Sequence, residues 1–486
     1  MKITDLRFRI MTRKRSMIIL AAIMVLIFSG CRQEPASQPN IILILADDLG
    51  YGDPGCYGQQ LLKTPNIDRL AGEGMMFTQH YSGSTVCAPS RSCLMTGQHT
   101  GHTPIRGNME MQPEGQYPLE AEAITIAELL KQSGYTCGAF GKWGLGPVGS
   151  EGDPLAQGFD EFYGYNCQRL AHNYYPEHLW HNDRKVMLEA NRDTLLGDYA
   201  PFLIQEKVLQ FIERNRDGPF FCYIPTVIPH AELFAPDQYI GMFRGKFLPE
   251  KVYNGCDPGC DHYKTGGYGT QKEAHAAFAA MIHILDEQVG QIIDKIEELG
   301  LSGNTLIIFT SDNGPHLEGG ADPDYFNSNG PFQGYKRDLY EGGIRVPMLV
   351  RWPGRVKAGT QSGHISAFWD VLPTLSQLAG TTVPENIDGI SFLPALLGET
   401  GQQEHEYLYW EFYEMGGRRA LRKGDWKAIR YDLNNHPEAP LMLFNLVDDP
   451  GEEHDVSSRH PELIREMEQL MQQAHTDSEV FTKKEK

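Results

Sequence analysis

The sequence predicts an α/β fold: a large, mostly parallel sheet sandwiched by helices, with a smaller C-terminal α+β domain that contains a short antiparallel sheet. Two apolar runs predict parallel strands that are covered on both faces, "NIILILADDLG" from residue 40 and "NTLIIFTSDNG" from residue 304. Stretches between them carry apolar residues at three- and four-residue spacing, which is typical of helices. Beyond residue 401, short alternating stretches predict the antiparallel sheet.

The helices are predicted from their periodicity and from the residues that flank them. They lie at "IDRLAGEGM", "ITIAELLKQSGY", residues 203–214, "AAFAAMIHILDEQVGQIIDKIEELG" and from residue 461 onward. The long helix is expected to end at Gly300, a typical capping residue, and Pro461 is favourable at a first helical position. The rest of residues 153–263 has weak periodicity and many His, Tyr and Asn residues, so we expect mainly loops that cover a site.

The N-terminus has the features of an export signal. Basic residues at positions 13–15 precede an apolar run, residues 17–28, which is short for a membrane span. The small residues directly before Cys31, in "FSGC", resemble a bacterial lipobox, in which the cysteine is lipidated. We therefore expect a signal peptide with lipobox at 1–31, a tether at 32–39, and a protein lipid-anchored in the cell envelope, in the periplasm or at the outer-membrane surface. A plain secretory signal cut nearby is the alternative.

The charge of the chain narrows its partners. The formal net charge of -20 argues against nucleic acid, because phosphate binding needs a basic surface. The membrane is expected as a partner only through the lipid anchor. An acidic protein that acts on an anionic substrate must concentrate cations at its site.

The cysteines give a mixed signal. The chain has nine, and the pair in "CDPGC", residues 256–260, is expected to form a local disulfide or to remain two thiols, because the partner pair of a metal site is missing. Cys87 lies in the polar stretch "TVCAPSRSCLMTGQHTGH", and on its own it would be a half-cystine or an ordinary loop thiol.

Oxygen-bearing side chains follow both predicted strands. Asp47 and Asp48 end the first, and Asp312 and Asn313 end the second. Parallel strands would bring these four side chains to one carboxyl edge, where open α/β sheets bind ligands. Carboxylate and amide oxygens are the ligands that calcium and magnesium prefer, so the pattern predicts a metal site.

The stretch "CAPSRSCLMTG", Cys87 to Gly97, resembles the signature of the type I, formylglycine-dependent sulfatases. The resemblance continues in order along the chain, through "ADDLGYGD", "GKWGLG", "SDNG", "GYKRDLYEGGIRVP", "RKGDWK" and "LFNLVDDPGEEHDVS". It implies an alkaline phosphatase-like fold and a sulfuric ester hydrolase, with a catalytic domain at 40–400 and a C-terminal subdomain at 401–486.

The resemblance implies that Cys87 is oxidised to formylglycine by a partner, a formylglycine-generating maturase. A hydroxyl of the hydrated aldehyde would attack the sulfur of a sulfate ester, and the second hydroxyl would then expel sulfate. Asp47, Asp48, Asp312 and Asn313 would hold one divalent cation, which also contacts residue 87. Calcium is favoured, and magnesium is the alternative.

The resemblance also assigns cations and a histidine to the site. Arg91, Lys142 and Lys336 match basic residues around the nucleophile and the sulfate, where they stabilise negative charge. His230, in "VIPHAEL", corresponds to the histidine that assists the leaving oxygen.

The chain departs from the family pattern at Gly144, where "GKWGLG" replaces the usual Gly-Lys-Trp-His-Leu-Gly. The missing histidine accepts the proton when sulfate is eliminated. His316 is our first candidate for the replacement base, followed by His102 and His172.

The substrate is expected to be a sulfated carbohydrate, either a galactose-type glycan or a glycosaminoglycan fragment. The candidate residues for its recognition are Gln168, Arg169, His172, Asn173 and Glu232. A phosphate or phosphonate monoester hydrolase of the same superfamily is the nearest alternative, although the single-cation set favours sulfate. An inactive glycan-binding lipoprotein is a further alternative, supported only by Gly144.

Overall fold

The computed structural model describes residues 38–257, 259–262, 264 and 266–481 of the chain. The predicted signal peptide, its lipobox and most of the predicted tether lie outside these residues, so they remain predictions. Within the described part, every helix is too short or too polar to cross a bilayer.

The described residues form strands of two to seven residues. They are β1 Asn40–Ala46, β2 Met75–Phe77, β3 His80–Tyr81, β4 Glu110–Met111, β5 Gly115–Gln116, β6 Thr136–Lys142, β7 Glu161–Tyr165, β8 His178–His181, β9 Arg184–Met187, β10 Phe220–Pro225, β11 Thr305–Ser311, β12 Met348–Arg351, β13 Thr360–Ser362, β14 Ser366–Ala367, β15 Leu408–Phe412, β16 Arg418–Lys423, β17 Trp426–Tyr431 and β18 Met442–Asn445. Ten of them form one sheet in the order β13-β2-β12-β11-β1-β10-β6-β7-β8-β9. Its central strands, from β11 to β7, are parallel.

The helices pack on both faces of this sheet and beside the C-terminal sheet. They are Pro65–Gly72, Cys87–Thr96, Ile126–Gln132, Ala200–Arg214, Asp237–Phe243, Ala274–Glu298, Pro323–Phe326, Glu341–Ile344, Val371–Ala379, Leu393–Leu397 and Pro461–Gln473. All five predicted helices are confirmed. Gly300 has φ of 69°, the left-handed conformation expected just after a helix end.

Strand β1 shows how the sheet is sandwiched. Alternate residues of a strand point to opposite faces. Ile42, Ile44 and Ala46 belong to one hydrophobic cluster, which contains the helix Ala274–Glu298, whereas Ile41, Leu43 and Leu45 belong to a second cluster. Every residue of β1 is buried, as the uninterrupted apolar run predicts.

The predicted pairing of the two acid-terminated strands is confirmed. β1 and β11 are parallel neighbours, with Ala46 opposite Ser311, and the amide of Asp312 donates to the carbonyl of Ala46 at 3.0 Å. The side chains that follow the two strands therefore leave the same edge of the sheet.

Most of the described residues in 153–263 outside the helix Ala200–Arg214 are loops and turns, as expected, but the strands in this segment were missed. This segment contributes β7, β8, β9 and β10 to the large sheet, and β10 lies between β1 and β6 in its centre. Strand β10 is only six residues long and ends at Pro225, so its sequence carries little periodicity. All six residues of β10 are buried, so its strand conformation depends on packing against neighbours in the fold and not on its local sequence pattern.

The predicted C-terminal antiparallel sheet is confirmed as β15-β16-β17-β18. A buried ion cluster joins it to the rest of the described chain: Lys427 Nζ lies 2.9 Å from a carboxylate oxygen of Glu341 and 2.9 Å from one of Glu452. Arg418 donates to the carbonyl of Arg337 and, at 3.0 Å, to Asp338 Oδ1. The domain boundary near residue 400 remains a prediction.

Cys256 and Cys260 are joined by a disulfide, which resolves the alternatives left open for "CDPGC".

Candidate active site

Cys87 is the first residue of the helix Cys87–Thr96, so it lies at the positive end of the helix dipole. Its Sγ is 3.5 Å from Asp47 Oδ1 and 3.5 Å from Lys142 Nζ. The next amide, of Ala88, donates to Asn108 Oδ1 at 3.1 Å, which fixes the first turn. The helix thus presents residue 87 to the edge of the sheet where β1 and β6 end.

The unmodified thiol of Cys87 is a poor nucleophile in this environment. Its side chain is buried, and burial raises its pKa to about 12, although Lys142 and Lys336 act in the opposite direction. The thiolate is the reactive form of cysteine, and at neutral pH it is scarce here.

Two cations hold the carboxylates on one side of Cys87. Lys142, the last residue of β6, donates to Asp47 Oδ2 at 2.7 Å. Arg91 donates to Asp312 Oδ2 from Nη2 at 2.8 Å and from Nε at 3.1 Å, and also contacts the carbonyl of Lys142. All four side chains are fully buried, so these pairs are strong and geometrically specific.

Lys336 binds the remaining carboxylate of the site, that of Asp48. Its Nζ lies 2.8 Å from Asp48 Oδ2 and 3.0 Å from His230 Nε2. Burial, and next the charge of Lys336, keep the pKa of His230 well below its usual range. His230 is therefore a neutral imidazole that accepts a hydrogen bond from the ammonium group, while its Nδ1 contacts the carbonyl of Ala231.

The donor set fits a divalent cation. Burial opposes the ionisation of Asp47, but the charges of Lys142 and Arg91 outweigh it and lower the pKa of Asp47 to about 2. Burial, and next the charge of Asp47, raise the pKa of Asp312 to about 7, so the ionised form of Asp312 would be stabilised by a further positive charge. Asn313 Nδ2 donates to Asp48 Oδ1 at 2.7 Å, whereas its buried Oδ1 has no partner among the described residues. A hard cation would satisfy both features.

The residues considered for the missing base lie in different places. His172 and His316 both stack on the ring of His230, with centroids 4.6 and 5.7 Å apart. Nε2 of His316 lies 3.3 Å from the carbonyl oxygen of Pro229, and its Nδ1 lies 3.3 Å from a carboxylate oxygen of Glu318. His102 instead pairs with Asp388 at 2.8 Å.

Gly144 has φ of 73°, and a Cβ there would lie 3.0 Å from Cγ of Gln168. Gln168 is buried, and its Nε2 has no partner among the described residues. Its side chain therefore occupies the space next to residue 144, and an unsatisfied donor is left in the site.

The other candidate recognition residues form a group beyond His230. His172 Nδ1 lies 2.9 Å from the carbonyl of Gly266, and Glu232 Oε2 accepts from the amide of Gly269 at 3.0 Å. Asn173 lines the same cavity as Glu232, whereas Arg169 is paired with Glu110 at 2.6 Å.

Two contributors were missed by sequence reasoning. Tyr268 packs against His172, with centroids 5.3 Å apart, and Ser90 Oγ donates to the carbonyl of Asp312 at 2.6 Å. Ser90 lies within the stretch Cys87 to Gly97, so the sequence could have indicated that it belongs to the site. The stretch around Tyr268 carries no pattern that could have identified it.

Comparison with known proteins shows the family of the chain. The family model described as "Sulfatase" matches residues 39–381, and the model "N-sulphoglucosamine sulphohydrolase, C-terminal" matches residues 331–477. The chain is 32% identical over 491 residues to human arylsulfatase A, covering 90% of this chain and 87% of that protein. It is 31% identical over 481 residues to human N-acetylgalactosamine-6-sulfatase, covering 90% and 85%.

A solved structure is similar throughout the fold. The crystal structure of Ps i-CgsB in complex with k-i-k-neocarrahexaose superposes with a TM-score of 0.74 at 30% identity, covering 90% of this chain and 93% of that chain. The matched family model spans more than half of the sequence, and the identity to curated sulfatases exceeds 30% over most of its length. The chain therefore belongs to the sulfatase family, with an alkaline phosphatase-like fold and the activity of a sulfuric ester hydrolase.

Proposed function

We propose that the protein removes sulfate from a sulfated carbohydrate, with a formylglycine made from Cys87 as its nucleophile. The observation that carries this proposal is the position of residue 87 at a helix N-terminus, between Asp47 and Lys142. Relatives named for N-acetylgalactosamine 6-sulfate and a neighbour bound to neocarrahexaose support a sugar substrate. A maturase partner is part of the proposal, because the thiol itself is neutral and buried.

Asp47, Asp48, Asp312 and Asn313 would hold a divalent cation. We favour calcium, since the four side chains offer oxygen donors only, and magnesium is the alternative. When bound, the cation supplies Lewis-acid polarisation of the sulfate group. The formal charges of three buried acids and of Arg91, Lys142 and Lys336 cancel, so a divalent cation would give the site the net positive charge that an anionic substrate requires.

The protein's own residues orient the reacting groups. Lys142 contacts both Asp47 and residue 87, so it fixes the nucleophile relative to the oxygen donors. Arg91 braces Asp312 and the backbone at Lys142, and it does not need to move during the reaction. Such preorganised charges stabilise the transition state without reorganisation.

The contact between Lys336 and His230 supplies the proton for the leaving alcohol. Lys336 carries the proton on Nζ, and His230 Nε2 is its acceptor at 3.0 Å. An alcohol oxygen that leaves beside this pair would receive the proton from it. His316 remains our first candidate for the base that assists sulfate elimination, because one of its ring nitrogens lies within 4.8 Å of a carboxylate oxygen of Asp48.

We also propose that the protein is exported and lipid-anchored in the cell envelope. The support is the N-terminal sequence alone: the basic residues, the apolar run and the small residues before Cys31.

The proposal is tested by the mass of the proteolytic peptide that ends at Arg91, from protein purified from a host with a maturase. Replacement of sulfur by a carbonyl oxygen at residue 87 is expected. Cys87→Ala should abolish sulfate release with an unchanged melting temperature, whereas near-normal activity in this variant would overturn the mechanism. Parallel assays with an aryl phosphate and an aryl phosphonate distinguish the phosphatase alternative. An unmodified thiol and sugar binding without turnover would favour the glycan-binding alternative.

A further inference from the structure

A cavity of about 500 Å³ lies beside His172, whose Nδ1 is 2.9 Å from the carbonyl of the lining residue Gly266, and its volume is within the ~300–1,000 Å³ range of ligand pockets. Its wall includes Asn173 and Glu232, which are close in the chain to the stacked rings of His172 and His230. The amide of Glu232 donates to the carbonyl of His172 at 3.3 Å. The cavity wall therefore contacts His172 through a hydrogen bond, and the ring of His172 stacks on that of His230.

The lining combines apolar surface with carboxyl groups. Leu195 and Leu196 are about 60% exposed, and Phe234 adds an aromatic face. Glu177 and Asp257 also line the cavity. Apolar and aromatic faces of this kind accept the C–H surface of a sugar ring.

The described residues that line this cavity include no lysine or arginine. Arg169 lies close by, against Gly266, but it is paired with Glu110 at 2.6 Å. The lining histidine, His178, contacts Glu114 at 3.0 Å. Among the described lining residues, the cation-rich environment of the sulfate site is thus not continued.

The carboxyl groups suit hydroxyl ligands. Burial raises the pKa of Glu232 to about 7, while the amide of Gly269 favours the charged form, so near neutral pH this group both donates and accepts hydrogen bonds. The backbone amide of Thr270, at 2.7 Å, lowers the pKa of Asp257 and keeps it ionised. An anionic ligand would face this charge without a cation to compensate it.

We propose that this cavity binds the sugar next to the sulfated ring, on the leaving-group side, and that it selects an uncharged ring over one with a carboxylate or a second sulfate. This inference rests on the proposed function and makes its substrate class narrower. It favours glycans with neutral neighbouring sugars, such as galactose-type chains, over fragments that contain uronic acid.

The test compares two monosulfated disaccharides with the same sulfated ring, whose second ring is a neutral hexose in one and a hexuronic acid in the other. The mature protein is expected to show a kcat/KM at least about tenfold higher for the neutral partner. Glu177→Lys should reduce this ratio severalfold, because it places a cation in the lining. Glu399→Lys, an exposed position outside the lining, is the matched control and should leave the ratio unchanged.

Equal kcat/KM values for the two disaccharides in the wild-type protein would overturn the inference and leave the sulfatase proposal intact. An unchanged ratio in Glu177→Lys would also overturn it. If protein with confirmed formylglycine hydrolyses neither disaccharide nor 4-nitrophenyl sulfate, the proposed function fails, and this inference fails with it.

Discussion

Nζ of Lys336 lies 3.0 Å from Nε2 of His230 and 2.8 Å from Oδ2 of Asp48, so one ammonium group joins the proposed metal-binding carboxylates to the proposed leaving-group site. Lys336→Ala should lower kcat/KM for a sulfated sugar by about 10²–10³-fold, the loss typical for removal of one transition-state donor. The control is Lys357→Ala, at an exposed lysine, which should retain full activity. Less than a threefold loss in Lys336→Ala would remove this residue from the mechanism.

Asp312→Asn should lose the cation together with the activity. The variant removes one of three carboxylates and also weakens the bonds from Arg91, which is fully buried. Metal per protein, measured by elemental mass spectrometry, is the first readout. The second is the rise in melting temperature on adding calcium, which the wild type should show and the variant should not. Asp217→Asn, at an exposed position, is the control, and unchanged metal content in Asp312→Asn would contradict the assigned site.

Gly144→His restores the usual family residue but should not improve turnover. The backbone at residue 144 has φ of 73°, and the new side chain would meet Gln168 within 3.0 Å. The left-handed conformation alone should lower the free energy of unfolding by about 1–2 kcal/mol. The double variant Gly144→His/Gln168→Ala removes the contact, and we expect it to be more active than the single variant. Equal activity of the two would show that Gln168 does not restrict this position.

Lys427→Met should destabilise the protein by about 3–5 kcal/mol, because it removes the cation beside the buried carboxyl group of Glu452 and leaves Glu341 dependent on Arg345, at 3.1 Å. Denaturant unfolding measures this loss. Lys131→Met, which breaks an exposed pair with Asp160, is the control and should cost about 0–1 kcal/mol.

The loss in Lys427→Met should also depend on pH. In the wild type, burial opposes the ionisation of Glu341, but the charges of Lys427, and next of Arg345 and Arg422, overcome this and lower its pKa to about 2. A lowered carboxyl pKa stabilises the fold above the unfolded pKa of about 4.5, and this stability is lost as the pH falls towards 2. Without Lys427 that contribution is reduced, so the deficit of the variant should be larger near pH 7 than near pH 3. A deficit that does not change with pH would contradict this account.

The sequence was informative where a single local pattern determines the structure. The runs before Asp47 and Asp312 are apolar at every position, so their burial and parallel pairing could be predicted. Strand β10 could not, because its place in the sheet depends on neighbours that are distant in sequence. The signature located residues 87 and 91, but it could not show that Gln168 fills the space beside Gly144. The cavity was also unpredictable, since its walls come from several separate segments.

Arg418 anchors the residues that follow Lys336. Mutations or truncations far along the chain from the proposed active site should therefore affect that site. Arg418 belongs to β16, more than 80 residues after Lys336, yet it holds the backbone and side chain of the two residues that follow Lys336. A premature stop codon or a proteolytic cut that removes the last four strands would therefore resemble a null allele of the active site. Variants in the last four strands should therefore be grouped with active-site variants when the gene is screened, although none of the residues of these strands contacts the proposed nucleophile in the described chain.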